Sequence, residues 1–489
     1  MKRLLSILHL TGFTMVLFSL SMLIPAGVAA YTGDGTLDAF LEGFALALLM
    51  GLIPYFLTRR YRSELQPRDG FLLVSLVWTV LPALATIPFL IYFRDTGAPI
   101  SFSFAYFEAM SGITTTGSTV LTGLDRLPAS IHVWRATLMW IGGMGILVLA
   151  VAVLPSLGVG GSQVVRAEAP GPMKDEKLTP RIAGTAKALY AIFLGLSLLC
   201  WAAYYLAGLR GTDAFVHMAA TVALGGFSTL DASISGFDSF AVELVAMVFM
   251  LVAGINFATH FKVWRTHSLK GYRVCPETRH FLAIMLVAST VVSLFLYGHG
   301  VYPDIWTAFR YGVFNTILVG TTTGFASTDY AQWPMFAPLL MLFISCFAAS
   351  SGSTGGGLKL IRIVLIFKQI RYELLRLVHP RVVLPIRLSQ RIVDTRVLQG
   401  ILAFLALYLV ILMVMTLLLL LSGLDTLTAF TAALSSINNT GPGLGAVGPS
   451  GSFAKMTTIQ IWLCSFGMLL GRLELFTVLV LFTPTFWRK

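Results

Sequence analysis

The sequence is poor in charged residues and in the side chains that enzymes use for chemistry. Only 11% of its 489 residues are charged, and its four cysteines are far apart at Cys200, Cys275, Cys346 and Cys464. The eight histidines are scattered and show no metal-ligand spacing. These shortages predict no disulfide framework and no metal centre. They leave a membrane-embedded enzyme only as a distant alternative, because it would need paired acids, a histidine cluster or an activated nucleophile.

Apolar residues are abundant instead. Hydrophobic residues make up 56% of the sequence, and the mean hydropathy of +0.82 is far too high for a soluble protein of this length. A helix that crosses a bilayer needs about 20 mainly apolar residues. The sequence therefore predicts an all-α polytopic membrane protein with ten crossings, at 4–29, 39–58, 70–93, 132–155, 182–207, 239–262, 279–298, 335–376, 397–422 and 456–483.

The positive charges predict the orientation of these crossings. Basic loops beside crossings are typically cytoplasmic, so both termini are predicted to be inside. The net charge of +12 then follows from topology, and nucleic-acid binding is not expected. Four predicted inner segments hold 4, 5, 5 and 9 of the 34 Lys and Arg residues, at 59–68, 166–187, 262–280 and 359–396.

The apolar run at 4–29 has a second interpretation. Lys2 and Arg3 before it, and the small residues at 26–30, also resemble a cleavable signal peptide. The run is long for a signal peptide, and the basic residues at 59–62 fit a helix pair that leaves and re-enters the cytoplasm. A retained pair is the preferred interpretation.

A short polar, glycine-containing stretch recurs four times between the apolar segments. Each copy follows an apolar segment too short to cross a bilayer and precedes one long enough to cross it. The pattern predicts four repeats of crossing, half-helix, polar loop and crossing. The glycines at the corresponding place are 109, 98 and 117 residues apart, at Gly117, Gly226, Gly324 and Gly441.

The polar stretches have the composition of a site for a monovalent cation. Glycine lets the backbone turn carbonyls toward an axis, and Thr, Ser and Asn add neutral oxygens. None of the stretches contains the carboxylates that a divalent ion recruits. The alternative is that the small residues only let helices pack closely. Close packing would explain a single stretch, but it explains four stretches at equivalent places less well. Carboxylates near the starts of three half-helices are expected to cap them and to suit the helix dipole: Asp213, Asp304 and Asp425.

These motifs make the chain resemble the Trk/Ktr/HKT superfamily of potassium transporters, and within it the TrkH-type membrane subunits. The resemblance covers essentially the whole chain. It implies a potassium pathway along a pseudo-fourfold axis, an extra N-terminal helix pair, and a homodimer in the lipid membrane. It is carried by GITTTG at 112–117, LGGFST at 224–229, TTTGF at 321–325, GSTGGGLK at 352–359, NNTGPGLG at 438–445 and GRLELF at 471–476.

The resemblance also implies which residues bind potassium. They are each of the four glycines and the two residues before it. Only the first and third copies share Thr-Thr-Gly, so the filter is expected to be chemically asymmetric. In this chain the positions are Thr115, Thr116, Gly117, Leu224, Gly225, Gly226, Thr322, Thr323, Gly324, Asn439, Thr440 and Gly441.

A glycine-rich segment at 348–357 interrupts the second crossing of the third repeat. Its composition disfavours a helix, and irregular backbone at that depth is tolerated where it is buried in protein or lines a cavity. The resemblance implies a movable gate under the filter, and a passive kink is the alternative. The implied gating residues are Gly352, Ser353, Thr354, Gly355, Gly356 and Gly357, together with Arg472.

Arg472 is a charged residue deep in the last predicted crossing, about 25 Å along a helix from its start. Charges inside a membrane usually face a cavity or a partner. The resemblance places Arg472 near the pore below the filter, where it would oppose the passage of cations. The alternative is a structural salt bridge to Glu108 or Glu243 on another helix.

The segment 352–359 also comes close to a phosphate-binding loop. Leu358 separates Gly357 from Lys359, and no hydroxyl residue follows the lysine, so nucleotide binding here is disfavoured. The resemblance implies instead that nucleotide binds a separate cytoplasmic subunit of the TrkA type, and that this chain has no covalent cofactor. The expected docking surface of that subunit consists of the basic segments 262–280 and 359–396.

The sequence therefore predicts potassium uptake across the bacterial inner membrane, controlled by the intramembrane loop and a regulatory subunit. A symporter that couples potassium to protons or sodium is the alternative within the same fold, although no chain of acidic residues typical of proton relays is evident. The expected division is an N-terminal helix pair at 1–62 and four repeats at 63–165, 166–270, 271–390 and 391–489.

Overall fold

The computed structural model describes most of the chain as helices. Among the described residues, the strands form a ladder of two residues each, β1 (Arg387–Leu388) paired antiparallel with β2 (Arg391–Ile392). The all-α prediction is confirmed. Parts of the predicted inner segments and of the fourth crossing lie outside the described residues, which are 2–61, 66–149, 178–382, 384–388 and 391–488.

The N-terminal pair packs closely because glycines lie where its two arms cross. A Cβ atom on Gly12 would lie 2.7 Å from the backbone nitrogen of Tyr55, which is the small-residue packing typical of membrane helices. The rings of Phe18 and Phe40 contact Trp134 of the first repeat, so the pair is part of the fold. A turn at Leu20–Met22 joins the first two of its three helices, α1 (Lys2–Ser19), α2 (Leu23–Thr32) and α3 (Leu37–Thr58).

Each repeat has a first crossing, a half-helix and a second crossing, as predicted. The half-helices α5, α8, α13 and α17 contain 12, 12, 16 and 13 residues, and at about 1.5 Å per residue they are too short to cross the hydrocarbon core. The helices of the repeats are α4 (Pro67–Asp95), α5 (Phe102–Ile113), α6 (Ala129–Val148), α7 (Leu178–Leu206), α8 (Gly211–Val222), α9 (Phe240–Ala253), α10 (Phe257–Thr266), α11 (Lys270–Val274), α12 (Pro276–Gly298), α13 (Ile305–Gly320), α14 (Phe336–Ser345), α15 (Leu360–Val378), α16 (Thr395–Leu421), α17 (Thr426–Asn438), α18 (Thr458–Arg472), α19 (Leu475–Leu479) and α20 (Pro484–Trp487). Short 3-10 turns lie between them at Leu124–Arg126, Ser233–Phe237, Tyr330–Gln332, Gly445–Val447, Phe453–Lys455 and Val480–Phe482.

Among the described residues, six helical segments are long and apolar enough to cross a membrane, and two bent pairs add two more. Large apolar side chains on these helices, such as Leu199, Leu286 and Met413, are exposed on the protein surface. Exposed apolar rows of this kind fit contact with lipid. The six segments are Arg3–Thr32, Leu37–Thr58, Arg68–Asp95, Ala186–Leu206, Pro276–Gly298 and Thr395–Leu421.

Within the described residues, three second crossings are broken, although the sequence predicted a break only in the third repeat. The chain bends by 90° between α9 and α10 and by 112° after α18. Crossings were predicted at 239–262 and 456–483, but the bends within them were not. Hydropathy misses such bends because it reports the affinity of a segment for lipid and not the direction of its backbone. At the first bend, Asn256 caps the new helix by accepting a hydrogen bond from Ala258 N at 2.9 Å.

The predicted caps of the half-helices are present in two repeats. Asp304 accepts a hydrogen bond from Thr307 N at 2.8 Å, and Asp425 accepts one from Thr428 N at 3.0 Å. Hydrogen bonds from the side chain and backbone of Thr307 also hold the pKa of Asp304 below its usual range. The cap predicted at Asp213 was wrong, because α8 begins at Gly211 and the carboxylate lies inside its first turn. It still suits the positive end of the helix dipole there.

Candidate functional site

The four half-helices end in the same way. The residue two positions before each glycine has a left-handed backbone, with φ of 50° at Thr115, 54° at Leu224, 62° at Thr322 and 52° at Asn439. The residue after it donates its N–H to the carbonyl five residues earlier over 2.7 to 3.0 Å. This geometry is a Schellman helix end. It stops each half-helix and turns the chain toward the glycine.

The four glycines form one ring with the residues before them. Each glycine has a φ between 76° and 95°, which favours glycine. A Cβ atom on any of them would also strike the carbonyl oxygen of the residue before the next glycine, and the fourth contact closes the circle. Four carbonyls from four repeats therefore meet around one axis. These Cβ-to-oxygen distances would be 2.0 Å from Gly117 to Gly225, 2.0 Å from Gly226 to Thr323, 2.4 Å from Gly324 to Thr440 and 2.8 Å from Gly441 to Thr116.

The side chains around the ring differ among the repeats. The hydroxyls of Thr114 and Thr116 are 2.7 Å apart, and those of Thr321 and Thr323 form an equivalent pair at 2.7 Å. In the fourth repeat, the amide of Asn439 donates instead to the Thr116 hydroxyl at 3.0 Å. The ring thus combines a fourfold backbone with unequal side chains, as the copies of the motif predicted.

A vestibule of about 290 Å³ opens on one side of the ring. All four glycines of the ring line it, together with the segments that follow them. Its charged lining residues are Asp231 and Arg135. The Asp231 carboxylate accepts backbone N–H groups of Gly123 and Leu124 at 2.9 and 3.1 Å, so it orders the rim of the vestibule.

The non-helical loop between α14 and α15 lies against the C-terminal ends of the half-helices. Thr354 Oγ1 donates to the carbonyl of Val222 at 3.0 Å, and Gly356 N donates to Thr322 Oγ1 at 2.9 Å. A Cβ atom on Gly356 would lie 1.8 Å from the carbonyl oxygen of Asn438. The loop therefore contacts the ends of three of the four half-helices, on the side of the ring away from the vestibule.

Arg472 is the last residue of α18 and not the middle of a crossing. Its side chain is buried, and Nη2 donates to the carbonyl of Thr354 in this loop at 2.9 Å. The alternative of a salt bridge to Glu108 or Glu243 was wrong, because both carboxylates have other partners. The observed ion pairs, each 2.8 Å long, are Glu108 with Arg135 and Glu243 with Arg310.

A second cation also bonds to the loop. Lys359 Nζ donates to the carbonyl of Gly355, while the nearby Glu474 pairs with Arg362 at 2.6 Å. Lys359 and Arg472 thus place positive charge beneath the ring. The resemblance to a phosphate-binding loop has no structural support, since Lys359 bonds within its own loop and the loop packs against the half-helices.

The connection between this loop and the bend in the second repeat was not predicted from the sequence. Phe257 N donates to the carbonyl of Gly352 at 3.1 Å, and Ser350 N donates to the carbonyl of Gly254 at 3.3 Å. The available signal was Asn256, a polar residue inside a predicted crossing. The buried Glu108–Arg135 ion pair, whose side chains are each 1% exposed, was also not predicted from the sequence.

Four half-helices whose backbone carbonyls surround one axis define a four-repeat membrane protein of the cation-translocating class. The comparisons agree, and the chain belongs to the TrkH family. The family model, described as "Cation transport protein", matches residues 36–489. This is a family of transporters and not of enzymes.

Relatives match over nearly their whole length. The chain is 45% identical over 486 residues to the "Trk system potassium uptake protein TrkH" of Vibrio parahaemolyticus, with 99% of each chain covered. It is 43% identical over 484 residues to the protein of the same name from Escherichia coli (strain K12), again with 99% of each covered. The crystal structure of the potassium transporter TrkH from Vibrio parahaemolyticus superposes with a TM-score of 0.92 at 43% identity, covering 99% of this chain and 100% of that one.

Proposed function

We propose that this protein takes up potassium across the bacterial inner membrane through the ring of four repeats. The observation that carries the proposal is the closed contact between each filter glycine and the carbonyl of the next repeat. Such carbonyls replace the water shell of an ion as it enters the ring. The names of the relatives at 43% and 45% identity support potassium as the ion.

We assign the filter to the three residues of each repeat that form the ring. Their backbone carbonyls and hydroxyls are neutral oxygens, which suit a monovalent ion better than a divalent one. The left-handed residue starts each triplet, and the glycine ends it. The proposed potassium-binding residues are Thr115, Thr116, Gly117, Leu224, Gly225, Gly226, Thr322, Thr323, Gly324, Asn439, Thr440 and Gly441.

The loop at 348–357 is proposed as the gate. It contacts the half-helices through Thr354 and Gly356 and is bonded by Arg472. Positive charge at this point opposes a cation that has passed the ring. Gate opening then requires the loop and Arg472 to move away from the axis together.

Control of the gate is proposed to come from the cytoplasm. The printed name of the relatives, a Trk system protein, suits an assembly with more than one component. A TrkA-type subunit that carries the nucleotide would dock on the basic segments 262–280 and 359–396, and the membrane subunit would form a homodimer. The break at α9 and α10 offers a route, because it is hydrogen-bonded to the loop through Gly352.

Conduction down the electrochemical gradient is preferred over coupled symport. Three carboxylates are bound to cations, the buried Glu108 and Glu243 to Arg135 and Arg310, and the half-buried Glu474 to Arg362. The buried Glu277 accepts Ser351 N at 2.7 Å. Symport stays the second candidate. Purified protein in vesicles distinguishes the two, since a potassium gradient moves potassium alone in conduction but also moves protons or sodium in symport.

The proposal is tested in a bacterium that lacks its own potassium-uptake systems. Expression of this chain with a TrkA-type subunit is expected to restore growth at low potassium, and expression of the chain alone is expected to restore it less well. Empty vector is the control, and the amount of protein in the membrane is measured in parallel. Failure to restore growth in both cases, with the protein present in the membrane, would contradict the proposal.

A further inference from the structure

A buried ion pair lies behind the ring, at the vestibule side. Arg135 on α6 donates from Nε to Glu108 Oε1 on α5 at 2.8 Å, and each side chain is 1% exposed. A charge buried at this depth is costly unless it is paired and its remaining hydrogen-bonding atoms are satisfied. The partners of the remaining hydrogen bonds show which segments the pair holds in place.

Glu108 holds the segment that leaves the first filter loop. Both of its carboxylate oxygens accept the Thr119 hydroxyl at 3.0 Å, and Oε2 also accepts Val120 N at 3.0 Å. Thr119 and Val120 are the second and third residues after Gly117. The carboxylate therefore fixes the chain just beyond the filter to the half-helix that precedes it.

Arg135 extends the same contact to the second repeat. Its Nη1 donates to the carbonyl of Ser228 at 3.1 Å, and its guanidinium lies over the ring of Phe227 at 4.1 Å. These are the two residues that follow Gly226. Its Nη2 donates to the Thr119 hydroxyl at 3.3 Å. One guanidinium thus contacts the outgoing segments of two neighbouring filter loops.

In two other repeats, the residue at the position equivalent to Glu108 also bonds to the segment after the filter glycine. It lies nine residues before the filter glycine, as do His217 and Asn315. The His217 ring bonds to Ser228 Oγ at 3.0 Å, and Asn315 Nδ2 donates to Ser327 Oγ at 2.9 Å. Each of these contacts also joins a half-helix to the segment beyond its own filter. Among these three positions, only Glu108 is part of an ion pair that reaches the next repeat.

We propose that the Glu108–Arg135 pair is a positioning element that sets the potassium preference of the ring. The inference rests on the proposed potassium function. The pair does not touch the ion. It fixes the segments directly after Gly117 and Gly226, and so it fixes the spacing of the carbonyls that adjoin them in the ring. Carbonyls held apart favour the larger potassium ion, whereas a ring that can contract accepts sodium more readily.

The test compares potassium and sodium uptake by variants in a host that lacks its own potassium-uptake systems. Glu108→Gln removes the charge, and Arg135→Lys keeps a cation but cannot donate to Glu108 and Ser228 in the same planar geometry. We expect either change to lower the ratio of potassium to sodium uptake by about tenfold, the effect of losing one charge-assisted hydrogen bond. Uptake is normalised to the protein present in the membrane.

The Glu243–Arg310 pair provides a control, in which Glu243 is buried and Arg310 is 31% exposed. It has the same Nε–Oε distance of 2.8 Å and joins α9 to α13, but its hydrogen bonds involve none of the filter residues. Glu243→Gln is expected to lower the amount of folded protein without changing the uptake ratio. A purely structural role for Glu108 predicts the same result for Glu108→Gln.

Thr119→Val keeps the proposal testable if the charged variants do not reach the membrane. It removes the hydroxyl that contacts both Glu108 and Arg135 without burying an unpaired charge, and a smaller fall in the uptake ratio is expected. Wild-type ratios in every variant that reaches the membrane would overturn the proposal. Absence of potassium uptake by the unmodified protein would instead refute the proposed function.

Discussion

The residues that begin each triplet of the proposed filter adopt a backbone that most side chains avoid. Thr115, Leu224 and Thr322 have left-handed φ values, which cost roughly 1–3 kcal/mol each for such residues. Asn439, in the fourth repeat, tolerates this conformation better. The strain is retained at equivalent places because the following carbonyl must face the neighbouring repeat.

The glycine that ends each triplet is expected to be essential for selectivity. Gly117→Ser would bring a Cβ within 2.0 Å of the Gly225 carbonyl oxygen, and left-handed backbone adds about 1–2 kcal/mol for a non-glycine residue. The neighbouring carbonyl must move, so the ratio of potassium to sodium uptake is expected to fall by about tenfold or more. Gly324→Ser is expected to act in the same way.

Substitution of a glycine with a similar backbone but no close neighbours tests backbone strain without displacement of the ring. Gly97 has a φ of 76° and nothing within 4 Å of an added Cβ. Gly97→Ser is therefore expected to leave the uptake ratio unchanged. Equal ratios in Gly117→Ser, Gly97→Ser and the unmodified protein would argue against the assigned filter.

At the scale of elements, the half-helices and the broken crossings are connected through the loop between α14 and α15. The loop between α14 and α15 contacts the ends of the half-helices in the second, third and fourth repeats, at Val222, Thr322 and Asn438. The bend between α9 and α10 is hydrogen-bonded to the same loop through Gly352. A displacement of α10 is therefore expected to reach the loop through this backbone hydrogen bond.

Loosening the loop is expected to increase potassium flux. Thr354→Val removes the hydrogen bond to Val222, worth about 1 kcal/mol, which corresponds to a shift of about fivefold in the gating equilibrium. Deleting 353–356 is expected to raise flux further. Flux is measured in vesicles that contain equal amounts of correctly folded protein.

Thr290 serves as the control for the loop variant. Its hydroxyl donates to the carbonyl of Leu286 on α12, at an exposed site outside the ring. Thr290→Val is expected to leave flux unchanged. If Thr354→Val and the deletion both conduct no faster than the unmodified protein, the loop is a passive kink.

At the scale of the whole molecule, the distribution of basic residues predicts one orientation in the membrane. Segments 262–280 and 359–396 hold 5 and 9 Lys and Arg residues, and such segments favour the cytoplasmic side. The loop after α4 is then outside, and the turn after α10 is inside. Both ends of the chain are predicted to be cytoplasmic.

Cysteine labelling at two exposed threonines tests this orientation. In a Cys275→Ser background, Thr96→Cys is expected to react with a membrane-impermeant maleimide in intact spheroplasts. Thr266→Cys is expected to react only after permeabilisation. Both threonines are exposed on loops or helix ends, so the comparison isolates the side of the membrane. Labelling of Thr266→Cys in intact spheroplasts would reverse the predicted topology.

Local patterns were sufficient for most of the crossings, for the half-helices and for the four loops. Hydropathy, glycine positions and the caps at Asp304 and Asp425 act over a few residues, so they are readable along the chain. The same reasoning failed at Asp213, where the helix begins two residues earlier. It also failed at the bends near Asn256 and Arg472, because a polar residue in an apolar run does not reveal the direction in which the helix turns.

The ring and the charge pairs depend on contacts between repeats, and only packing decides them. Gly117 meets the carbonyl of Gly225 because the folded repeats surround one axis, not because of any feature near either residue. Glu108 was an acceptable partner for Arg472 by charge alone. In the folded protein it pairs with Arg135, since a buried charge takes the partner that helix packing brings within hydrogen-bond distance.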